Sequence, residues 1–205
     1  MVDSASFWDK AAAKYVASPI KDIETYEAWL AQVRAHLKPT DKVLEMGCGS
    51  GATALLLADS VAHITATDIS ANMISYGFEQ AKTDGVENIT FTQAVAGETP
   101  LPGPFDVVMA FNLIHLLPDP MAALVQMREQ MAPGGLLITK TPCLANKWLW
   151  RIPINVLQLI GKAPHVNFFS QQQFEDVVTQ SGFEIIEAET YPKGGMSRLI
   201  IARKI

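Results

Sequence analysis

The chain has 205 residues, 49% of them apolar and 18% charged, and carries a net charge of −5 at neutral pH. That length is long for one core and short for two, so a single α/β domain covering 1–205 is the economical organisation. The acidic balance, with a pI near 5.3, argues against nucleic acid as the main partner, because phosphate backbones demand clustered Lys and Arg and no compact basic stripe occurs.

The start, Met1-Val-Asp-Ser-Ala-Ser-Phe-Trp8, lacks a basic region followed by an apolar one, so no secretory signal is expected. No apolar run approaches membrane-spanning length, and the expected location is the cytoplasm. Two helices are predicted first, over about 6–16 and 22–37, the second ended by Pro39. Apolar, β-branched runs then alternate with helical patterns: strands are predicted at 42–45, 62–67, 89–93, 105–110 and 136–140. That alternation means a parallel sheet. Ser70 is the expected N-cap of a helix over 71–82, which Thr83-Asp-Gly85 ends. Residues 183–189 and 197–203, joined by Tyr191-Pro-Lys-Gly-Gly195, read as two strands pairing antiparallel. Cys48 and Cys143 lie in no metal-ligand spacing and are read as free thiols.

The chemistry concentrates in Val43-Leu-Glu-Met-Gly-Cys-Gly-Ser-Gly-Ala52, where an apolar strand runs into three alternating glycines. Gly47, Gly49 and Gly51 permit positive φ and let a ligand touch the main chain, which a Cβ would prevent. The helix beginning near Gly51 points free N–H groups at the same spot. Asp68 ends the next strand at a spacing that suits a carboxylate accepting both hydroxyls of a ribose. A nucleotide-like cofactor is the natural occupant. Spacing does not separate its identities, since Gly47-x-Gly49-x-x-Ala52 also meets the looser dinucleotide fingerprint.

Several ordered motifs resemble those of the class I S-adenosylmethionine-dependent methyltransferases, in particular the group similar to the quinone-biosynthesis methyltransferases. Residues 43–51 resemble the first motif, including Glu45 two residues before the glycines, which nicotinamide enzymes do not typically carry. Thr67-Asp-Ile-Ser70 resembles the second. Phe105-Asp-Val-Val-Met-Ala-Phe-Asn112 with Leu113-Ile-His-Leu-Leu-Pro-Asp-Pro120 is similar to the fourth strand and its exit, and Met131-Ala-Pro-Gly-Gly-Leu-Leu-Ile138 to the turn into the fifth. The resemblance implies a Rossmann-like fold: a seven-stranded, mostly parallel sheet closed by a C-terminal antiparallel hairpin, with helices on both faces. It implies S-adenosylmethionine as cofactor and methyl transfer by in-line displacement.

On that reading the loop Gly47, Cys48, Gly49 and Gly51 meets the methionine portion, Glu45 organises the loop or reaches the ammonium, and Asp68 holds the ribose. Ile69 covers an adenine face and Met73 adds to that wall. Relatives place an acid after the third strand to bind the adenine amino group. Here the segment is Phe91-Thr-Gln-Ala-Val-Ala-Gly-Glu98, so backbone groups of Val95 and Ala96 would read the adenine edge, with Gln93 or Glu98 as substitutes. Asn112, at the carboxyl end of the fourth strand where ligands of open α/β sheets collect, should border the reactive methyl group. Tyr15 resembles a tyrosine on an N-terminal helix folded over the cofactor, within a helical lid over 1–40. His115 and His165 are the candidate bases.

Residues 145–168 sit where relatives carry substrate-specific insertions. Their apolar stretch 148–160, with two tryptophans, suits a lid over an apolar small-molecule acceptor, a peripheral membrane contact or a homodimer contact. The rival functions are a nicotinamide-dependent oxidoreductase and a non-catalytic S-adenosylmethionine-binding protein.

Overall fold

The computed structural model describes residues 4–145 and 163–205. The stretch 148–160, to which the lid, membrane or dimer contact was assigned, lies outside the described residues.

Five strands run parallel, each a short apolar run. They are β1 (Lys42–Met46), β2 (His63–Asp68), β3 (Ile89–Gln93), β4 (Phe105–Phe111) and β5 (Met131–Pro142). β6 (Phe183–Tyr191) and β7 (Ser197–Lys204) form the expected antiparallel hairpin, and β7 inserts between β5 and β6. The sheet order is β3-β2-β1-β4-β5-β7-β6. Its strand order reverses between β1 and β4, and at such a switch point the chain leaves both strand ends in opposite directions and opens a crevice.

The helices are α1 (Ser4–Val16), α2 (Ile23–Ala35), α3 (Ala52–Leu57), α4 (Ala71–Asp84), α5 (Pro120–Glu129) and α6 (Gln171–Gln180). α3 crosses from β1 to β2, α4 from β2 to β3 and α5 from β4 to β5, while a loop without a helix joins β3 to β4. The helix ends follow the expected chemistry. Ser70 Oγ accepts from Met73 N–H and Gly85 closes α4 in the left-handed region, while Asp22 and Asp119 cap α2 and α5. Each such cap stabilises its helix by about 1 kcal/mol. None of the helices among the described residues is long and apolar enough to cross a membrane.

Two apolar layers cover the sheet. One packs α2 and α3 on the face that carries Val43, Ile64, Val107 and Ile138; the other packs α5 and α6 on Leu44, Val108, Leu137 and Ile200. Every one of those strand residues is fully buried, each worth about 1.5–3 kcal/mol of transfer free energy. α2 belongs to this core: Trp29, Leu30 and Val33 are buried, and the Trp29 ring lies 5.0 Å from that of Phe111. α1 is different. Ala12 alone is buried, and the helix rests on α4, so of the 1–40 segment only α1 is placed as a cover.

β5 begins earlier than its apolar pattern. Met131 pairs with Phe105 before the irregularity that brings Leu136 opposite Val107, and Ala132-Pro-Gly-Gly135 is the part of β5 that falls in this irregularity, with Gly134 at φ +71°.

Candidate active site

A cavity of about 470 Å³ opens at the carboxyl ends of β1, β2 and β4, under α1. Of the residues singled out in the sequence, Tyr15, Gly47, Gly49, Asp68, Ile69, Met73, Val95, Ala96, Asn112 and His115 line it. Glu45, Cys48, Gly51 and His165 do not.

The three glycines are bare for two different reasons. All have positive φ, at +68°, +54° and +74° for Gly47, Gly49 and Gly51. A Cβ on Gly47 would stand 2.8 Å from Leu113 Cδ1, and one on Gly51 only 2.5 Å from Phe91 Cε1. Both positions are closed by the protein's own side chains. A Cβ on Gly49 would meet nothing closer than Tyr15 Cε1 at 3.7 Å. Gly49 therefore exposes its backbone to the cavity, while Gly51 packs against Phe91 of β3 and Gly77 of α4 and is not part of the cavity lining. Cys48 is likewise turned from the cavity into the core beside β1, its N–H bonded to Thr67 O at 2.9 Å. Burial holds its thiol well above the ordinary range.

Asp68 organises the crevice. Its Oδ2 accepts from Gly49 N–H and its Oδ1 from Ser70 N–H, each at 2.9 Å, so one carboxylate ties the glycine loop to the start of α4. Burial raises its pKa, and the two backbone donors oppose that rise. Under the loop, Glu45 is 2% exposed and its Oε2 has no hydrogen-bond partner among the described residues. Burial, then the nearby Asp68 charge, pushes its pKa up to about 8.

α1 covers this end. Its Ser4, Trp8 and Tyr15 line the cavity, and Asp9 fastens it to α4: Ser70 Oγ donates to Asp9 Oδ1 at 2.6 Å, Asn72 N–H donates to the same oxygen at 3.1 Å, and Asn72 Nδ2 donates to Asp9 O. Trp8 and Asp9 escaped the sequence reading. A polar residue on the exposed side of a helix looks solvated until its partner, here the first turn of α4, is known.

At the third strand end, Val95 N–H is taken by Thr99 Oγ1 at 3.1 Å, whereas no such bond holds the Ala96 N–H among the described residues. Glu98 lines the cavity. Gln93 does not, donating to Ile69 O at 2.9 Å instead.

The far end is built from β4, β5 and the loop after β4. Asn112 is the one non-glycine residue described with positive φ, at +54°, a conformation that costs about 1–3 kcal/mol and concentrates at functional sites. Its N–H donates to Lys140 O at 2.7 Å, and its Oδ1 accepts from Lys140 Nζ at 3.4 Å. His115 lines the cavity with its Nδ1 buried and unpartnered among the described residues; burial, then the Lys140 charge, lowers its pKa to about 4. His165 is exposed, its Nε2 lying 3.3 Å from Asn167 Oδ1, so the structure does not bring it to the cavity. Phe111, Leu113, Leu116, Leu117 and Pro142 make an apolar wall that the sequence reading did not assign.

This combination of bare loop, second-strand acid and buried first-strand carboxylate coincides with a family match over most of the chain: a model described as a methyltransferase domain matches residues 19–188. The chain belongs to the class I S-adenosylmethionine-dependent methyltransferases. It is 28% identical over 138 residues to a demethylmenaquinone methyltransferase of Bacillus cytotoxicus, covering 64% of this chain and 58% of that protein. It is 30% identical over 176 residues to a highly reducing polyketide synthase of a Fusarium species, covering 77% of this chain and 7% of that protein. The chain thus spans little more than half of the first and a small part of the second. Among solved structures, the complex of DhpI with SAH superimposes with a TM-score of 0.77 at 19% identity, over 98% of this chain and 94% of that one, a likeness of fold. The methyltransferase family displaces the nicotinamide reading of the glycine loop.

The residues present fit such a donor. An unpartnered buried carboxylate, Glu45, suits an ammonium, and a main chain with room beside it, at Gly49, suits close approach of a ligand.

Proposed function

We propose that this chain moves a methyl group from S-adenosylmethionine to a small, largely apolar acceptor. One observation carries the reading: a cavity that joins the open Gly49 backbone and Asp68 at one end to Asn112, His115 and an apolar wall at the other.

In this reading Asp68 holds the ribose, since each carboxylate oxygen keeps acceptor capacity after its backbone bond. Ile69 and Met73 flank the adenine. Ala96 N–H reads the ring edge, and Glu98 takes the amino group in place of the acid that 94–96 lack. Glu45 receives the ammonium from beneath the loop, directly or through water. When bound, the donor supplies an electrophilic methyl on a sulfonium that departs as a neutral thioether. The protein's own part is to align the acceptor and exclude water, for which α1 covers the cavity and Tyr15 stands over Gly49.

His115 is neutral at pH 7 and a weak base, so it orients an acceptor by hydrogen bonding more readily than it strips a proton from one. The apolar wall of Trp8, Phe111 and Leu116 favours an acceptor with a hydrophobic body, in keeping with the quinone precursor named for the Bacillus relative.

The test is to incubate the protein with donor carrying a radiolabelled methyl group and a cell extract, then fractionate the product. Label in a small molecule that partitions into organic solvent is expected. Label confined to protein or nucleic acid, or no transfer despite bound donor, contradicts the proposal.

A further inference from the structure

Lys140 is a cation in an unusual place. It points from the carboxyl end of β5 into the face packed by α2, and the residue is only 8% exposed. Its Nζ lies 5.0 Å from the Trp29 ring centroid and 3.4 Å from Asn112 Oδ1. Among the described residues no carboxylate lies within ion-pair distance of it. A buried ammonium without a counter-ion costs several kcal/mol of desolvation, and a surrounding aromatic face recovers only part of that. Burial accordingly lowers the Lys140 pKa.

The position explains the expense. Lys140 lies directly behind the cavity floor, where its neighbours Phe111, Asn112 and Pro142 form the lining. An ammonium beside an amide faces the oxygen, not the NH2 group, so the contact fixes which way Asn112 is turned. Its Nδ2 donors are left for the cavity, with positive charge behind them. The left-handed backbone of Asn112 holds this arrangement at the tip of β4.

Resting on the methyltransferase reading above, we propose that Lys140 and Asn112 together recognise an ionised oxygen on the acceptor, so that the substrate is an apolar molecule bearing an acidic hydroxyl or carboxyl group. Such an acceptor arrives already deprotonated. Its oxygen supplies the electron pair of the new O–C bond, the pair of the broken S–C bond stays on sulfur, and no proton has to be removed. The weak basicity of His115 is then no obstacle.

The test uses matched acid and neutral probes, namely decanoate with decanamide, benzoate with benzamide, and nitrophenolate with nitrobenzene, titrated into the full chain saturated with S-adenosylhomocysteine. The parent is expected to bind at least one acid about tenfold or more tighter than its neutral mate, an effect in the range of charge-assisted hydrogen bonding. Lys140→Met should lose that preference and keep its affinity for S-adenosylhomocysteine within about twofold, while its Tm rises because an uncompensated buried charge is gone. Asn112→Asp, which supplies the lysine with an internal carboxylate, should also lose the preference. A parent that prefers no acid, a Lys140→Met variant that keeps the preference, or one whose Tm falls would overturn the proposal. A parent that fails to bind S-adenosylhomocysteine would instead bring down the donor reading on which it rests.

Discussion

Around the β1–β3 end of the cavity the ionisable groups, apart from the Tyr15 phenol and the Cys48 thiol, are carboxylates: Asp68 and Glu98 in the lining, Glu45 beneath the glycine loop and Asp9 at the edge. At the β4–β5 end they are His115 and, behind Asn112, Lys140. The donor of this family is a cation with an ammonium tail, and an acid-lined half suits it. The other half, with no carboxylate of its own, suits a partner of opposite sign. The contrast also separates two ways of holding a site. Asp68 is tied by two backbone donors and organises the loop it serves, whereas Glu45 and Lys140 are buried with their charges poorly matched, which costs stability until ligands complete them.

The largest effect on the donor half should come from Gly49→Arg. A side chain there would fill the space that only Tyr15 now approaches, in a backbone conformation that disfavours any Cβ. Circular dichroism should report a folded protein and calorimetry no measurable heat with S-adenosylmethionine; wild-type affinity would place the donor elsewhere.

Glu45→Gln comes next, with a loss of about tenfold or more in donor affinity, the usual scale for removing the charge from a buried ion pair. Its pH behaviour sharpens the comparison. Folding raises the Glu45 pKa from the ordinary glutamate value of 4.5 to about 8, so the folded state holds the extra proton and stability falls as pH climbs through that window. The Gln variant lacks this decline and should have the higher Tm of the two at pH 8.5. Binding of an ammonium should also drive the proton off: titrations of the parent at pH 7 in buffers of different ionisation enthalpy should show proton release, and the variant's should not.

Gly51→Ala should have the smallest effect on binding. Its Cβ would press on Phe91 at 2.5 Å, in a backbone with φ +74°, at a cost of roughly 2 kcal/mol or more in stability. Donor affinity below the lowered Tm should stay near that of the parent. A selective loss of affinity at unchanged Tm would mean that Gly51, like Gly49, faces the ligand.

The same contrast explains what was legible in the sequence. Parallel strands buried on both faces read as continuous apolar runs, so the parallel strands and the closing hairpin followed from pattern, and the Ser70 and Gly85 caps from local hydrogen-bonding chemistry. The start of β5 did not, because Pro133 and two glycines interrupt the apolar pattern just where the strand has already begun pairing. The glycine-loop half was legible as a motif, but not the different surroundings of its glycines, since Leu113 and Phe91 approach them from other elements. The β4–β5 half was less so. Lys140 reads locally as the polar end of a strand, and only the pairing of β4 with β5 and the packing of Trp29 reveal that it is buried.

The most direct measurement of the central claim, that a cationic donor lies along the open main chain at Gly49 with its sugar on Asp68, is a calorimetric titration of S-adenosylmethionine into the parent and into folded Asp68→Ala. The account predicts one site per chain for the parent and a loss of about a hundredfold in affinity for the variant, the value of two hydrogen bonds to a charged acceptor. Equal affinities in the two proteins would contradict it.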